Sequence, residues 1–554
     1  MSCTIHTDSK PAETAWEISA ARKRDDCANQ LEPYAHWSLA ELTPPPSHNN
    51  VIPLVHARLT DRERSFLASD VTDLAQRLAT RECTALEVTT AFCKAAYAAQ
   101  ELTNCLTEVM FEQALARAQE LDEHILTSGK VIGPLHGVPI SIKDNIAVKG
   151  KDTATGFIAW AGRTIAEEDA TVVWILRQAG AIIYVKTTNP QALGAVETLS
   201  NIYGRTTNPF NRSLGCGGST GGEGALIASR GSLLGVGTDI GSSIVARFWL
   251  VVAVPRARQY TRGNRNELHL GPMAHSTRDL ELFCRVISDY EPWTSDFSAL
   301  PIPWNSSLAQ HRENDKLLIG IFADDGVVVP HPPVIERLQK TREALIAAGH
   351  EVIDWVPMDH MKGFELGMKL LLLDGGEAIR TVLAESGEPA IPPVARLLNN
   401  YKEGGGHTLA ESWAVNVQRD QFRARALKHW NDTALRSKSG RPVDAVLCPA
   451  AATLAPPPNT TSWIGYTSYW NLLDLPAVVF PSGKPLQASS WASASRSSDD
   501  QPRNPMEELV RAQWNPETFD GAPVGLQLVG RRWQEEKLLA VLKHVEDAVA
   551  RFEK

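Results

Sequence analysis

The alternation of apolar and polar positions first becomes regular near Ser69, where helical signals begin. Thr84 and Glu87 have the spacing of a capping box, and Leu86, Val88, Thr89, Phe92, Cys93 and Ala96 then follow a helical stripe. A second helix is predicted from Phe111 to about Leu126, with Ala114, Ala118 and Leu121 on one face and Gly129 as its stop. The pattern then changes. Val138 to Lys143 reads as a short buried strand, Asp169 can cap a helix running to Gln178, and Ala181 to Val185 reads as a strand bounded by Thr187-Thr188-Asn189-Pro190. Later strands are predicted at 317–322, 445–448, 477–480 and 524–529. A final helix over 535–550 carries Leu538, Leu542, Val545 and Val549 on one face. Strand, helix and strand in this order mark an α/β sheet.

Residues 1–65 are polar and contain Pro44-Pro45-Pro46, so they read as a partly disordered extension ahead of a domain spanning 66–554. A Ser-, Asp-, Pro- and Arg-rich stretch at about 482–504 reads as an exposed loop. Strand signals come from both halves without a clean linker or an internal repeat, which favours one large interleaved domain.

Composition narrows the class. The 554 residues are 43% hydrophobic and 21% charged, ordinary values for a soluble globular chain. A net charge of -9 is small for this length and gives no reason to expect nucleic acid or acidic lipid as partner. The eight cysteines (Cys3, Cys27, Cys83, Cys93, Cys105, Cys216, Cys284 and Cys448) form no CxxC pair. A reducing compartment is therefore expected rather than a disulfide framework or zinc site. Met1 to Gln30 lacks the apolar core of a signal peptide, and no segment approaches the roughly 20 apolar residues of a membrane span. The expected location is cytoplasmic.

The candidate chemistry lies in Gly217-Gly218-Ser219-Thr220-Gly221-Gly222-Glu223-Gly224-Ala225-Leu226 and in Gly237-Thr238-Asp239-Ile240-Gly241-Ser242-Ser243. Small residues at this density let the backbone come close to another group. A P-loop is excluded, because no lysine stands at the required place after the glycines, and neither serine has a GxSxG elbow around it. Two hydroxyls remain, with a lysine about a hundred residues upstream. Lys143 sits in the apolar run Val138-Pro139-Ile140-Ser141-Ile142-Lys143, where a lysine can act as a base if burial leaves its neutral amine populated. On residues alone, Lys143 reads equally as an edge lysine snorkelling outward or as a partner of Asp144, and both serines as small turn residues.

These two stretches resemble the signature of the amidase signature family, GGSSGGEGA followed by GTDIGGSIR. The resemblance extends to Gly133-Pro134-Leu135-His136-Gly137-Val138-Pro139-Ile140-Ser141-Ile142-Lys143-Asp144, to 201–209 and to the closing Gly521-Ala522-Pro523-Val524-Gly525-Leu526-Gln527-Leu528-Val529-Gly530. The core motif region is about 133–244, and the likeness runs from about residue 65 to the C-terminus. Tyr466-Thr467-Ser468-Tyr469-Trp470-Asn471-Leu472-Leu473-Asp474 and Gly349-His350-Glu351-Val352 look most like the fungal acetamidase branch.

The resemblance implies a single large α/β/α domain with a central mixed β-sheet flanked by helices. It also implies hydrolysis of the C–N bond of small linear amides. Lys143 would be the base, Ser219 the bridging serine on a cis peptide bond, and Ser243 the nucleophile. Backbone N–H groups of Ile240, Gly241, Ser242 and Ser243 would form the oxyanion hole, with Thr220 and Asp239 in the supporting network. Leu193 falls where the family often has an acyl-pocket contact, and a plain core leucine fits that position as well. No cofactor or metal is implied. The partner is a small amide, and a homodimer is left open.

The chain departs from the pattern in two places. Ser242 stands where most members have glycine, and the arginine-rich Val245-Ala246-Arg247-Phe248-Trp249-Leu250 through Arg262 replaces a small-residue helix. Such an insert between well-matched segments is what a reading-frame slip or a mis-predicted splice produces; transcript sequence matching these codons would reject that explanation. Two other readings remain open: a catalytically impaired homologue with a binding or scaffold role, and an amidotransferase subunit.

Overall fold

A computed structural model describes residues 14–42, 44, 49–239, 250–252, 254–259, 268–310, 316–401, 404–491 and 501–554. In chain order its strands are β1 (Leu106–Val109), β2 (Pro139–Lys143), β3 (Ile182–Thr187), β4 (Leu199–Ser200), β5 (Gly204–Arg205), β6 (Leu234–Asp239) and β7 (Leu250–Val252). They continue as β8 (Val254–Gln259), β9 (Leu268–Ala274), β10 (Leu318–Ile321), β11 (Glu351–Asp354), β12 (Ala445–Pro449), β13 (Ala477–Pro481) and β14 (Gly525–Val529). Among the described residues, one 12-stranded sheet runs β1-β3-β2-β6-β9-β7-β13-β14-β12-β10-β11, with β8 against β9; β4 and β5 form a separate pair. β2 is parallel to β3 and β6, and β10 is parallel to β11 and β12. The other pairs in the sheet are antiparallel, so the sheet is mixed.

Both faces of the sheet are covered. Along β12, Ala445 and Leu447 enter one apolar cluster while Val446 and Cys448 enter another, and Val478 and Val479 of β13 divide the same way. This is the two-residue period of a strand, with a core on each side. Double coverage turns strands into nearly continuous apolar runs, which is why β2, β3, β12 and β13 stand out in the sequence.

The expected helices at 84 and 111 form as Ala85–Thr103 and Phe111–Ser128. Thr84 and Glu87 close a reciprocal capping box, and Gly129 ends the second helix in the left-handed conformation (φ 69°). The helix before β3 begins differently from the expectation: its N-cap is Ala170. Asp169 instead accepts from the Lys149 N–H (2.8 Å) and pairs with Arg177 (2.9 Å). The N-terminal stretch also differs from a polar arm, since Ala15–Leu31 is a helix with Ala20, Lys23 and Cys27 buried. Lys23 reaches Glu108 on β1 and Asp152. A helix whose core face is made of small residues and one paired lysine shows little amphipathic signal.

β6 escaped sequence reading for a related reason. Gly235 looks unlike a strand residue, but a β-carbon there would lie 2.0 Å from Glu223 Oε2 on the Gly221–Ala228 helix. Glycine lets that helix settle onto β6. The helices over 360–432 were also not anticipated, although Thr408 and Glu411 carry a capping-box spacing that forms in the structure.

Candidate functional site

β2 ends at Lys143, which is fully buried and does not snorkel to an edge. Its neighbour Asp144 is not its partner in the hydrogen bonds described: the Asp144 carboxylate accepts from the Thr155 N–H (2.8 Å). Burial pushes the Asp144 carboxyl up, against the pull of the Lys186 ammonium. Lys143 Nζ lies 2.7 Å from Ser219 Oγ and also reaches Thr220 Oγ1 (3.0 Å), Thr238 Oγ1 (2.8 Å) and the Thr238 carbonyl (3.2 Å). Ser219 is 1% exposed, and the Gly218–Ser219 peptide bond is cis.

Three elements bring these groups together. β2 supplies Lys143, its parallel neighbour β6 supplies Thr238, and the turn before the Gly221–Ala228 helix supplies Ser219 and Thr220. Glu223 fixes the helix to the sheet. Its carboxylate accepts from Ser141 Oγ (2.6 Å), two residues before Lys143, and from Thr187 Oγ1 (2.8 Å), which is Lys143's register partner on β3.

The hydroxyl protons around Lys143 have defined directions. Thr220 Oγ1 donates to the Thr238 carbonyl (3.0 Å), and Thr238 Oγ1 donates to Asn145 Oδ1 (3.3 Å). Both hydroxyl oxygens therefore present lone pairs to the amine. A neutral amine has two N–H bonds and one lone pair to offer the four oxygens within 3.2 Å, so an amine that gives its N–H bonds to the Thr220 and Thr238 oxygens would keep its lone pair for Ser219. This arrangement can move a proton between Ser219 and Lys143.

Thr220 and Asp239 thus have defined surroundings, and Asp239 Oδ1 accepts from Asn471 Nδ2 (3.1 Å) across the sheet. Leu193 is half-buried in a short turn after Pro190, with φ of 55°, and no described hydrogen bond joins it to Lys143 or Ser219. Ile240, Gly241, Ser242 and Ser243 lie outside the described residues, as does most of the atypical 245–270 stretch. Sequence reasoning did not single out Asn145, Thr238, Glu223 or Asn471. Thr238, Glu223 and Asn471 stand inside the recognised motifs, but the 232-residue separation of Asn471 and Asp239 leaves no local sign of their contact.

Among the described residues, no helix is long and apolar enough to cross a membrane.

Comparison with known proteins identifies the family and the fold. The family described as Amidase matches residues 87–248 and 250–539. The chain is 37% identical to the acetamidase of Emericella nidulans over 553 residues, covering 96% of this chain and 98% of the relative. It is likewise 37% identical to the acetamidase of Aspergillus oryzae, over 96% of this chain and 98% of that one. A solved fatty acid amide hydrolase superposes with a TM-score of 0.88 at 31% identity, over 96% of this chain and 95% of the other. A bacterial aryl acylamidase shares the fold at a TM-score of 0.69 and 19% identity, over 87% of this chain and 97% of that one. With a family match over most of its length and relatives aligned nearly end to end, the chain belongs to the amidase signature family.

Proposed function

We propose that this protein hydrolyses the C–N bond of small carboxylic amides, of the acetamide class, through an acyl-enzyme on Ser243. Ser243 Oγ attacks the amide carbonyl carbon. Its proton passes to Ser219 as the proton of Ser219 passes to neutral Lys143. The oxyanion that forms is held by backbone N–H groups of the 240–243 segment, each donor of this kind being worth about 10²–10³ in rate. The relay then runs backward and protonates the nitrogen, the C–N bond breaks, and ammonia leaves. Water attacks the acyl ester, the relay takes its proton, and the acid departs with the Ser243 hydroxyl restored. Protonating the nitrogen matters because an amide's amine is a poor leaving group without it.

The observation that carries this reading is the buried Lys143–Ser219 contact, with the protons of the flanking threonine hydroxyls directed away from the amine. The acetamidases of two fungi, similar over nearly their whole lengths, support the substrate class. The free thiols of the described cysteines suit a cytoplasmic setting, which is part of the same proposal. Ammonia release from acetamide tests it. The wild type should turn over and Ser243→Ala should not, and equal turnover by the variant would reject the assignment of the nucleophile.

A further inference from the structure

Two consecutive non-glycine residues after Pro190, Ala192 (φ 61°) and Leu193 (φ 55°), are left-handed, a conformation that L side chains resist. Something must hold them there. Immediately before them, Gln191 is fully buried, and both ends of its amide are committed to one distant segment. Its Nε2 donates to Glu388 Oε2 (2.7 Å) and to the Pro389 carbonyl (3.1 Å), while its Oε1 accepts from the Ile391 N–H (2.9 Å). Glu388 is itself 4% exposed and also accepts from the Ile158 N–H (2.7 Å) and Asn201 Nδ2 (2.9 Å). It lies between the Glu377–Ser386 and Pro392–Asn399 helices, distant in sequence from every recognised motif.

The loop held at Gln191 leads to backbone that packs against Gly218, the residue before Ser219. A β-carbon at Gly218 would meet the Ala195 carbonyl oxygen at 2.4 Å and the Glu197 nitrogen at 2.3 Å, so the 195–197 backbone lies directly on the residue before Ser219. Val196 and Gly217 line one cavity of about 70 Å³, whose other walls include Leu454, Trp463 and Ile464. The left-handed pair spans the few residues between the Gln191 anchor and this wall. If the anchor is released, 192–193 can relax toward the ordinary backbone conformation and carry Val196 with it.

We propose that Glu388 is a positioning residue: through Gln191 it pins the left-handed Ala192–Leu193 turn and so shapes the apolar wall beside Ser219, favouring amides that carry an apolar substituent. The assignment rests on the amidase reading above. It concerns selectivity among amides, not the proton relay.

Two measurements on Glu388→Ala, Gln191→Ala and the double variant test it. Hydrogen exchange at Leu193 and Gly194, whose N–H groups bond to the Pro190 and Gln191 carbonyls, should quicken in each variant while the Glu535–Phe552 helix keeps its protection. The ratio of kcat/KM for isobutyramide to that for acetamide should fall about 10-fold, mainly through KM, the scale of a misplaced apolar contact. The losses should be less than additive in the double variant, because each single variant already breaks the Gln191–Glu388 bond. Unchanged exchange at 193–194, a parallel loss on both substrates, or simple additivity would overturn the proposal. A wild type that hydrolyses no amide would overturn the functional reading instead, and hydrogen exchange would still decide the role of Glu388. If Glu388→Ala does not fold, Gln191→Ala leaves the carboxylate with Ile158 and Asn201 and yields both readouts.

Discussion

Lys143 Nζ stands 2.7 Å from Ser219 Oγ at a point where neither residue is more than 1% exposed. A lysine in such a place is poorly explained as a surface group, and its hydrogen-bond partner is a hydroxyl of the glycine-rich turn. Lys143→Ala should lower kcat on acetamide by about 10²–10⁴-fold, the usual range for a general base. Ammonia release measured alongside circular dichroism separates this from misfolding. Unaltered turnover would mean that Lys143 moves no proton.

The threonine hydroxyls aim the amine. Thr238→Val deletes the oxygen that accepts one Lys143 N–H and strands a buried donor, a defect worth about 1–3 kcal/mol. If that energy goes into misorienting the amine, kcat should fall about 10–100-fold, since each 1.36 kcal/mol is tenfold in rate. Thr220→Ser keeps the hydroxyl and should remain close to wild type. Steady-state kinetics on the two variants would contradict the account if their order were reversed.

The seat of the helix on β6 depends on Gly235. Adding a β-carbon 2.0 Å from Glu223 Oε2 forces the carboxylate away from Ser141 and Thr187. Gly235→Ala should cost about 1–3 kcal/mol, as overpacking a filled core does. A urea midpoint equal to wild type would show that the seat gives way freely.

The N-terminal helix contributes through charge. Burial alone would lower the pKa of Lys23, but the Glu108 and Asp152 carboxylates outweigh it and hold the ammonium above its usual value. Burial alone would raise Asp152, but the Gly162 N–H, Lys23 and Thr164 outweigh it and hold the carboxyl below its usual value. The raised Lys23 stabilises the fold fully below its unfolded value of 10.5, and that share is lost as pH rises through the folded value. The depressed Asp152 stabilises the fold above its unfolded value of 3.8, and that share is lost as pH falls through the folded value. Lys23→Met should cost about 3–5 kcal/mol near neutrality, because two carboxylates lose their buried partner. The gap from wild type should narrow in acid as Asp152 takes up its proton, since that share of the stability is lost as pH falls through a folded value below 3.8. Thermal melts across pH check both statements; a gap that widens in acid would contradict them.

What could be read from the sequence follows from what each residue is asked to do. β2 and β3 were legible because a strand buried on both faces is written in apolar residues. β6 was not, because its Gly235 is demanded by a helix that only the fold brings near. The Ala15–Leu31 helix reads as a polar arm in sequence because its buried face is Ala20, Lys23 and Cys27, too small and too polar to register. Within the site, the motif resemblance singled out Lys143, Ser219, Thr220 and Asp239. Spacing could not decide between a snorkelling lysine and a buried one; that choice is made when β6 and the Gly221–Ala228 helix converge on Lys143. Glu388 lies 197 residues from Gln191 and carries no local sign of that contact.

The most direct test of the central claim is mass-spectrometric mapping of a fluorophosphonate adduct on the folded protein. The account predicts a single adduct on Ser243 in the wild type, absent in Ser243→Ala and formed far more slowly in Lys143→Ala. An adduct on Ser219, or amide hydrolysis by a protein that Ser243→Ala leaves fully active and labelled, would contradict it.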